Sequence, residues 1–253
     1  MAVGCDENEK MKSQIFHIAE TTSTNDVLKK MLLKNALEEG FTVVADFQTA
    51  GRGQAAKKWE SERGKNLLFS TVFYPSDVPI QQQFLFSKAM ALGLRSALTE
   101  LLNEEVRIKW PNDIYWHDKK LCGILIETSV SGGFMTQVIV GVGINVNQTQ
   151  FVSDAPNPVS MCQIAGKEFD RNTVLEKVVV AMLFENSNRD ANLQRRYFDA
   201  LYRNEGYHPF YLKALGQTVQ AKIISIEPSG VMCLETVDRQ RFDCYFKEVE
   251  FVL

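Results

Sequence analysis

The stretch 107–127, reading RIKWPNDIYWHDKKLCGILIE, constrains the fold more than any other part of the chain. Pro111 lacks a backbone N–H and biases Trp110 toward extended geometry, so a strand should end at Trp110. Two further apolar runs follow at 114–116 and 121–127, separated by a short polar connection. Runs of this length between turn residues are typical of paired strands, and we therefore expect a hairpin here.

Three ionisable side chains mark the ends of the expected strands: Lys109, Asp113 and Lys120. Lys109 and Asp113 are embedded among large apolar residues, where an ionised group is costly unless it is paired or liganded. Local chemistry alone leaves open whether they serve a site or only the hairpin. The neighbouring residues 117–119 (HDK) are expected to form an ordinary solvated turn.

Composition excludes several classes of protein. The chain has 253 residues, of which 45% are hydrophobic and 23% charged, enough for one large domain or for one large and one small domain. A net charge of −3 gives no basic field for a nucleic-acid backbone, and no apolar run is long enough to cross a bilayer. We therefore expect neither a nucleic-acid nor a membrane partner. The five cysteines are odd in number and scattered, which favours reduced thiols and a cytoplasmic location.

The remaining apolar patterns predict a mixture of strands and helices. Strands are expected at 14–18, 41–47, 67–74 and 134–142, and helices at 26–39, 81–103, 173–185 and 191–203. From 218 to the end the pattern changes to short strands broken by turns at 228–230 and 237–239. This change predicts a small β-barrel domain at the C-terminus.

A long connection at 48–66 has no apolar periodicity but contains several glycines, arginines and lysines. Long loops in compact domains are usually functional or disordered, and Trp59 indicates a loop that closes over something. The stretch 51–58 lacks the second glycine and the hydroxyl of a phosphate-binding P-loop, and 141–146 lacks the third glycine of a dinucleotide-binding fingerprint. What remains is a glycine–arginine loop beside a lysine hairpin, which suits a compact pair of anions.

Five segments, in order along the chain, resemble motifs of the biotin–protein ligase family. They are 22–25 (TSTN), 48–53 (QTAGRG), 109–113 (KWPND), 120–127 (KLCGILIE) and 141–147 (GVGINVN). The resemblance implies an α+β fold: a catalytic domain like that of class II aminoacyl-tRNA synthetases, with a mixed sheet and helices, in 1–213, and a small SH3-like β-barrel in 214–253. Repressor members carry an added DNA-binding domain before the first motif. We expect the short form without it, because 22 residues precede Ser23 here.

The resemblance also implies the reaction. The family activates the carboxylate of biotin with MgATP, releases pyrophosphate, and transfers biotin from biotinyl-AMP to a lysine of a biotin carboxyl carrier domain. ATP and Mg²⁺ are the implied cofactors, and a biotin-dependent carboxylase supplies the protein partner. The chain is expected to act as a monomer or a homodimer. Metal ligands are not identified.

Residue roles follow from the matched motifs. Catalysis would rest on Lys120, Arg52 and Asp113. Biotin would be held by Ser23, Thr24, Asn25, Gln48, Gly51, Arg52, Gly53, Lys120 and Gly123. ATP and the adenylate would be framed by Gln54, Trp59, Lys109, Asn112 and Asn145.

The basic loop departs from the family pattern, in which an arginine commonly follows G-R-G. Gln54 stands at that place, and it removes a bidentate phosphate partner that Lys57 cannot copy geometrically. Two alternatives stay open: a lipoate or octanoate ligase or transferase of the same fold, and a non-catalytic biotin-binding module. The polar set Ser23, Thr24 and Gln48 favours biotin over an aliphatic acyl chain.

Overall fold

The computed structural model of the protein describes residues 14–53, 58–152 and 157–253. A seven-stranded sheet forms its larger part. Its strands are β1 (Ile15–Ile18), β2 (Thr42–Ala45), β3 (Leu67–Phe73), β4 (Arg107–Lys109), β5 (Asp113–Trp116), β6 (Lys119–Ser131) and β7 (Phe134–Ile144). They lie in the order β1-β2-β3-β7-β6-β5-β4, with β1 parallel to β2 and all other neighbours antiparallel. The expected mixed sheet and hairpin are confirmed.

The described residues form five α-helices. They are α1 (Thr24–Leu32), α2 (Gln83–Leu102), α3 (Met161–Ala165), α4 (Arg171–Ser187) and α5 (Leu193–Asp199). Helix α1 packs against β2, β3 and β7, whereas α2 contacts β4 and β5 and packs against α4. Gly93 permits the close approach of α2 and α4, because a Cβ there would lie 2.7 Å from the carbonyl oxygen of Ala181. The two faces of the sheet are thus covered by different helices.

Helix α1 is shorter than the sequence pattern predicted. We expected a helix over 26–39, and it covers Thr24–Leu32. The side-chain amide of Asn35 donates to the carbonyl oxygen of Met31 at 3.2 Å, and such local side-chain bonding competes with further helical turns. Leu33 is 83% exposed, so a longer helix would find no core to cover there.

The C-terminal part forms a second, five-stranded antiparallel sheet. Its strands are β8 (His208–Leu212), β9 (Gln217–Ile226), β10 (Met232–Thr236), β11 (Arg241–Cys244) and β12 (Val249–Phe251), in the order β11-β10-β9-β8-β12. A small C-terminal β domain was expected, and this sheet confirms it. Strand β8 lies before residue 214, where we expected the domain to begin, and the division at 213 stays a prediction. No helix within the described residues is long and apolar enough to cross a membrane.

Candidate functional site

A cleft lies on the face of the large sheet that carries α1. Strand register places Leu68, Gly143, Gly123 and Asp113 side by side on four neighbouring strands. The two glycines have no side chains, so the middle of this row is left open, and the indole of Trp59 packs directly on them. A Cβ at Gly143 would come within 2.5 Å of that indole, and one at Gly123 within 2.9 Å. The open space of the cleft is about 500 Å³.

One end of the cleft is uncharged and buried. Thr24 donates from its backbone N–H to Oε1 of Gln48 at 2.7 Å, and its hydroxyl lies 3.1 Å from the same oxygen. The hydroxyl of Ser70 is 2.6 Å from Thr24 Oγ1 and 2.5 Å from Asn25 Oδ1. Thr24 and Asn25 are each 3% exposed. We call this group the polar end: Ser23, Thr24, Asn25, Gln48 and Ser70.

Glycine at 141 is what allows the polar end to form. A Cβ at this position would lie 2.3 Å from Asn25 Oδ1, so any larger residue would push α1 off the sheet. Ser23 precedes α1 as its N-cap residue, yet its side chain makes no capping bond. It lines the cleft instead, together with Thr24, Asn25 and Gln48. The structure therefore brings the expected biotin-binding side chains together.

The other end of the cleft carries the ionised side chains. Lys120 Nζ lies 2.8 Å from Asp113 Oδ1 and 5.6 Å from the centre of the Trp59 ring. Arg52 pairs with Asp26 at 2.6 Å and with Glu127 at 3.7 Å. We call this group the charged end: Arg52, Asp113 and Lys120 with the carboxylates of Asp26 and Glu127. It adjoins the polar end, because the side-chain amide of Asn25 donates to Glu127 Oε2 at 3.3 Å.

The turn of the hairpin is clamped onto β6 and thereby fixes the charged end. Asn112 donates from its side-chain amide to the carbonyl oxygen of Ile124 at 2.6 Å. In return, the backbone N–H of Ile124 donates to the carbonyl oxygen of Asn112 at 3.0 Å. Asp113 begins β5 directly after this clamp, opposite Gly123 in register. The carboxylate of Asp113 is consequently held at a fixed position relative to Lys120.

The loop after β2 delivers Trp59 to the cleft. The backbone N–H of Trp59 donates to the carbonyl oxygen of Gly51 at 3.0 Å, and Arg52 pairs with Lys58 in an isolated antiparallel bridge. The indole N–H of Trp59 is buried and has no acceptor among the described residues. A buried donor without a partner is costly, so this N–H is suited to an acceptor on a ligand.

Two of the residues expected to frame ATP make contacts within the protein, and their role toward ATP stays a prediction. Lys109 donates to the hydroxyl of Tyr115 at 3.0 Å and lies 5.2 Å from the centre of the Phe251 ring, facing the C-terminal sheet rather than the cleft. The side-chain amide of Asn145 donates to the carbonyl oxygens of Val159 and Lys120, at 3.1 and 3.4 Å, and so holds strand ends together. Gln54 lies outside the described residues.

Sequence reasoning missed Ser70, Asp26 and Glu127 as members of this site. Ser70 and its neighbour Thr71 are the two polar residues of the otherwise apolar β3, and Ser70 stands opposite Gly141. Its position among apolar residues was the available signal. Asp26 and Glu127 touch Arg52 only because α1 and β6 meet on the same face of the sheet, and Glu127 could have been found as the last residue of the KLCGILIE motif.

Comparison with known proteins places this cleft in a family. The model of the biotin/lipoate A/B protein ligase family matches residues 18–145, about half of the chain and every motif of the cleft except the last two residues of the GVGINVN segment. The bifunctional ligase/repressor BirA of Bacillus subtilis is 30% identical over 250 residues, covering 91% of this chain and 72% of that protein. The biotin–[acetyl-CoA-carboxylase] ligase of Mycobacterium tuberculosis is 30% identical over 169 residues, covering 66% of this chain and 61% of that protein.

A solved structure extends the likeness to the whole fold. The biotin protein ligase of Aquifex aeolicus, in complex with biotin and ATP, superposes with a TM-score of 0.76 at 24% identity. The superposition covers 94% of this chain and 99% of that one, so it includes the large sheet and the C-terminal sheet. The expected fold is confirmed. Family model, relatives and fold agree, and the chain belongs to the biotin/lipoate A/B protein ligase family.

Proposed function

We propose that this protein is a biotin–protein ligase. In the first step a carboxylate oxygen of biotin bonds to the α-phosphorus of ATP, and pyrophosphate leaves. In the second step the amine of a carrier lysine bonds to the acyl carbon of biotinyl-5′-AMP, AMP leaves, and a proton is released. The observation that carries the proposal is one cleft with a buried uncharged network at one end and paired ionised groups at the other.

The polar end suits the ureido ring of biotin. Thr24 and Gln48 contribute hydroxyl and amide groups that can both donate and accept hydrogen bonds. A ureido group presents two N–H donors and one carbonyl acceptor to such a set. An aliphatic acyl chain would leave these buried groups unpaired, which a binding site tolerates poorly. The polar end therefore favours biotin over lipoate or octanoate, in agreement with the name of the Mycobacterium tuberculosis relative.

The charged end suits the adenylation chemistry. A carboxylate and a triphosphate repel each other, and negative charge develops at the α-phosphate as they react. Fixed cations lower both the repulsion and the energy of the transition state. Lys120 and Arg52 supply these cations, and their carboxylate partners hold them at the cleft until an anionic ligand takes their place.

Asp113 would act in the transfer step. Among the carboxylates of the charged end it is the one paired with Lys120, where the acyl phosphate would stand. A carboxylate at this place can attract the incoming lysine ammonium and accept its proton. Asp113 is also the candidate ligand for Mg²⁺, which commonly binds through one or two carboxylates together with nucleotide phosphates. The described residues contain no cluster of three or more metal-binding side chains, so the nucleotide would have to supply most of the ligands.

The protein partner would be the carrier domain of a biotin-dependent carboxylase. We place the reaction in the cytoplasm, where ATP is available. The four cysteines in the described part of the chain are all free, as expected for a reducing compartment.

Transfer to a carrier domain tests the proposal. The protein is incubated with biotin, MgATP and a purified biotin carboxyl carrier domain, and the carrier is analysed by intact mass and peptide sequencing. We expect one biotinyl group on one lysine. A carrier variant with that lysine replaced by arginine is the control. Lipoylation of an acceptor without any biotinylation would support the alternative ligase, and binding of biotin without pyrophosphate release would support a non-catalytic module.

A further inference from the structure

The turn between β9 and β10 reaches from the C-terminal sheet to the catalytic part of the molecule. The backbone N–H of Glu227 donates to the carbonyl oxygen of Val231 at 2.8 Å, and that of Gly230 donates to the carbonyl oxygen of Glu227 at 2.9 Å. These bonds make the turn rigid. The carbonyl oxygens of Ile226 and Glu227 accept hydrogen bonds from α2, and that of Gly230 accepts one from the KWPND segment. We call residues 227–231 the strut.

A buried lysine of α2 forms hydrogen bonds to one side of the strut. Lys88 is 0% exposed, and its ammonium donates to the carbonyl oxygens of Ile226 at 2.9 Å and Glu227 at 3.3 Å. It also donates to the side-chain oxygen of Gln194 on α5. Burial lowers the pKa of Lys88 to about 8. An ammonium in a protein interior needs several acceptors, so these contacts fix the strut against α2 and α5.

The indole of the KWPND segment forms a hydrogen bond to the other side of the strut. Trp110 donates from Nε1 to the carbonyl oxygen of Gly230 at 3.0 Å, and its ring lies 5.1 Å from that of Phe246. Gly230 has φ +95°, and a Cβ there would lie 2.9 Å from the ring of Phe84. The strut therefore fits between Trp110 and α2 only with glycine at this position.

Trp110 is joined to the reacting groups through a short and rigid path. Two residues further along the chain, Asn112 is clamped to Ile124 by two hydrogen bonds. The next residue, Asp113, forms the ion pair with Lys120. A displacement of Trp110 would thus be passed to the charged end. The polar end lies on α1, β3 and the loop after β2, and among the described residues no hydrogen bond or ring contact joins it to the strut.

We propose that the strut sets the position of the Asp113–Lys120 pair, with Trp110 and Lys88 as positioning residues. The C-terminal sheet then has a role in the chemical step: it holds the turn that carries Asn112 and Asp113. The inference rests on the proposed function, since it concerns the groups assigned to adenylation and transfer. Errors of about 1 Å in the placement of reacting groups cost roughly a hundredfold in rate, so a moved strut should lower kcat.

Alanine substitution of two glycines provides a matched test. Gly230→Ala pushes the strut away from Phe84, whereas Gly216→Ala introduces a residue at φ +62° in another turn of the same sheet, where a Cβ meets nothing within 4 Å. Both carry the strain of a left-handed backbone. For biotin-dependent pyrophosphate release, we expect Gly230→Ala to lower kcat by at least about tenfold while the KM for biotin stays within twofold. Gly216→Ala should leave both within twofold. Equal kcat in the two variants would overturn the proposal.

A second measurement does not depend on activity. Hydrogen exchange of the Ile124 amide, followed by NMR, reports the clamp to Asn112. We expect it to accelerate by about tenfold in Gly230→Ala and to stay unchanged in Gly216→Ala. Unchanged exchange in Gly230→Ala would contradict the proposed role of the strut, even in a protein that releases no pyrophosphate. If the parent protein releases no pyrophosphate in the presence of biotin, only the proposed function is contradicted.

Should Gly230→Ala fail to fold, Trp110→Phe takes its place. This change keeps an aromatic ring against Phe246 and removes only the donor to Gly230. A lower kcat with an unchanged KM for biotin, and a recovery of the rate in Trp110→His if its ring nitrogen restores the bond, would support the strut. Parental kcat and parental Ile124 exchange in Trp110→Phe would reject it.

Discussion

The two ends of the cleft differ in how their functional groups are held. At the polar end, Thr24 and Asn25 are each 3% exposed. Thr24 is hydrogen-bonded to Gln48, and Ser70 is hydrogen-bonded to both Thr24 and Asn25. At the charged end, the side chains of Arg52 and Lys120 are 43% and 30% exposed, and each cation is paired with a carboxylate. One end is a buried network; the other is a set of ion pairs in contact with solvent.

This difference indicates which contacts within the protein a ligand can replace with contacts of its own. Ion pairs that are partly exposed contribute only about 0–1 kcal/mol, so an anionic ligand can replace the carboxylates at little cost. A buried hydrogen-bond network is expensive to disturb, because each unpaired group keeps its full desolvation penalty. The polar end should therefore govern affinity for biotin, and the charged end should govern the rate of adenylation.

The largest effect is expected for Lys120→Ala. Loss of one fixed donor at a developing charge typically lowers kcat by about 10²–10³-fold, and biotin affinity should change much less because the polar end is untouched. Pyrophosphate release and biotin calorimetry measure the two quantities. Lys119→Ala, one residue earlier on β6 and exposed, is the matched control. Near-parental pyrophosphate release from folded Lys120→Ala protein would contradict the claim that the charged end governs the rate of adenylation.

A smaller effect is expected for Thr24→Val, which removes the hydroxyl that Gln48 and Ser70 share. The affinity for biotin should fall by about tenfold, since a hydrogen bond contributes roughly 0.5–1.5 kcal/mol, and kcat should change little. Thr42→Val removes a buried hydroxyl pair with Thr71, at 2.8 Å, away from the cleft. It controls for stability alone. A loss of kcat without a loss of affinity would show that the polar end is not the binding end.

The smallest effect is expected for Asp26→Asn, which frees Arg52 from its nearer carboxylate. The KM for ATP should fall by up to about threefold, because Arg52 no longer has to break an ion pair that contributes some tenths of a kcal/mol before it binds the nucleotide. The difference should shrink at high salt. Asp46→Asn, which breaks a similar pair with Arg171 at 2.8 Å elsewhere, is the control. A tenfold rise in KM would mean that Asp26 itself is needed to hold Arg52 in place.

The sequence predicted the cleft better than it predicted the contacts within it. The resemblance to the family's motifs identified Thr24 and Gln48, and the predicted hairpin placed Lys120 near the end of a strand. The sequence could not identify Ser70, since the contact of Ser70 with Thr24 depends on the position of α1 over β3 and Gly141. Local patterns contain no such register.

The same lack of information on distant contacts explains why the sequence did not predict the surroundings of Lys109 and Lys88. Lys109 belongs to the most recognisable motif, yet its direction is set by Tyr115 and by Phe251 from the far end of the chain. Lys88 lies in an apolar helix, and its acceptors are carbonyl oxygens of a distant turn. Contacts to a distant backbone leave no signal in a single sequence, because every residue offers a carbonyl.

Exchange of labelled pyrophosphate into ATP, without any carrier protein, tests the central claim most directly. It reports the reversible first step, in which the polar end selects the acid and the charged end activates it. We predict exchange that requires biotin, that lipoate and octanoate do not support, and that falls by about 10²-fold or more in Lys120→Ala. Exchange supported equally by lipoate, or none with biotin from a protein that binds it, would contradict the account.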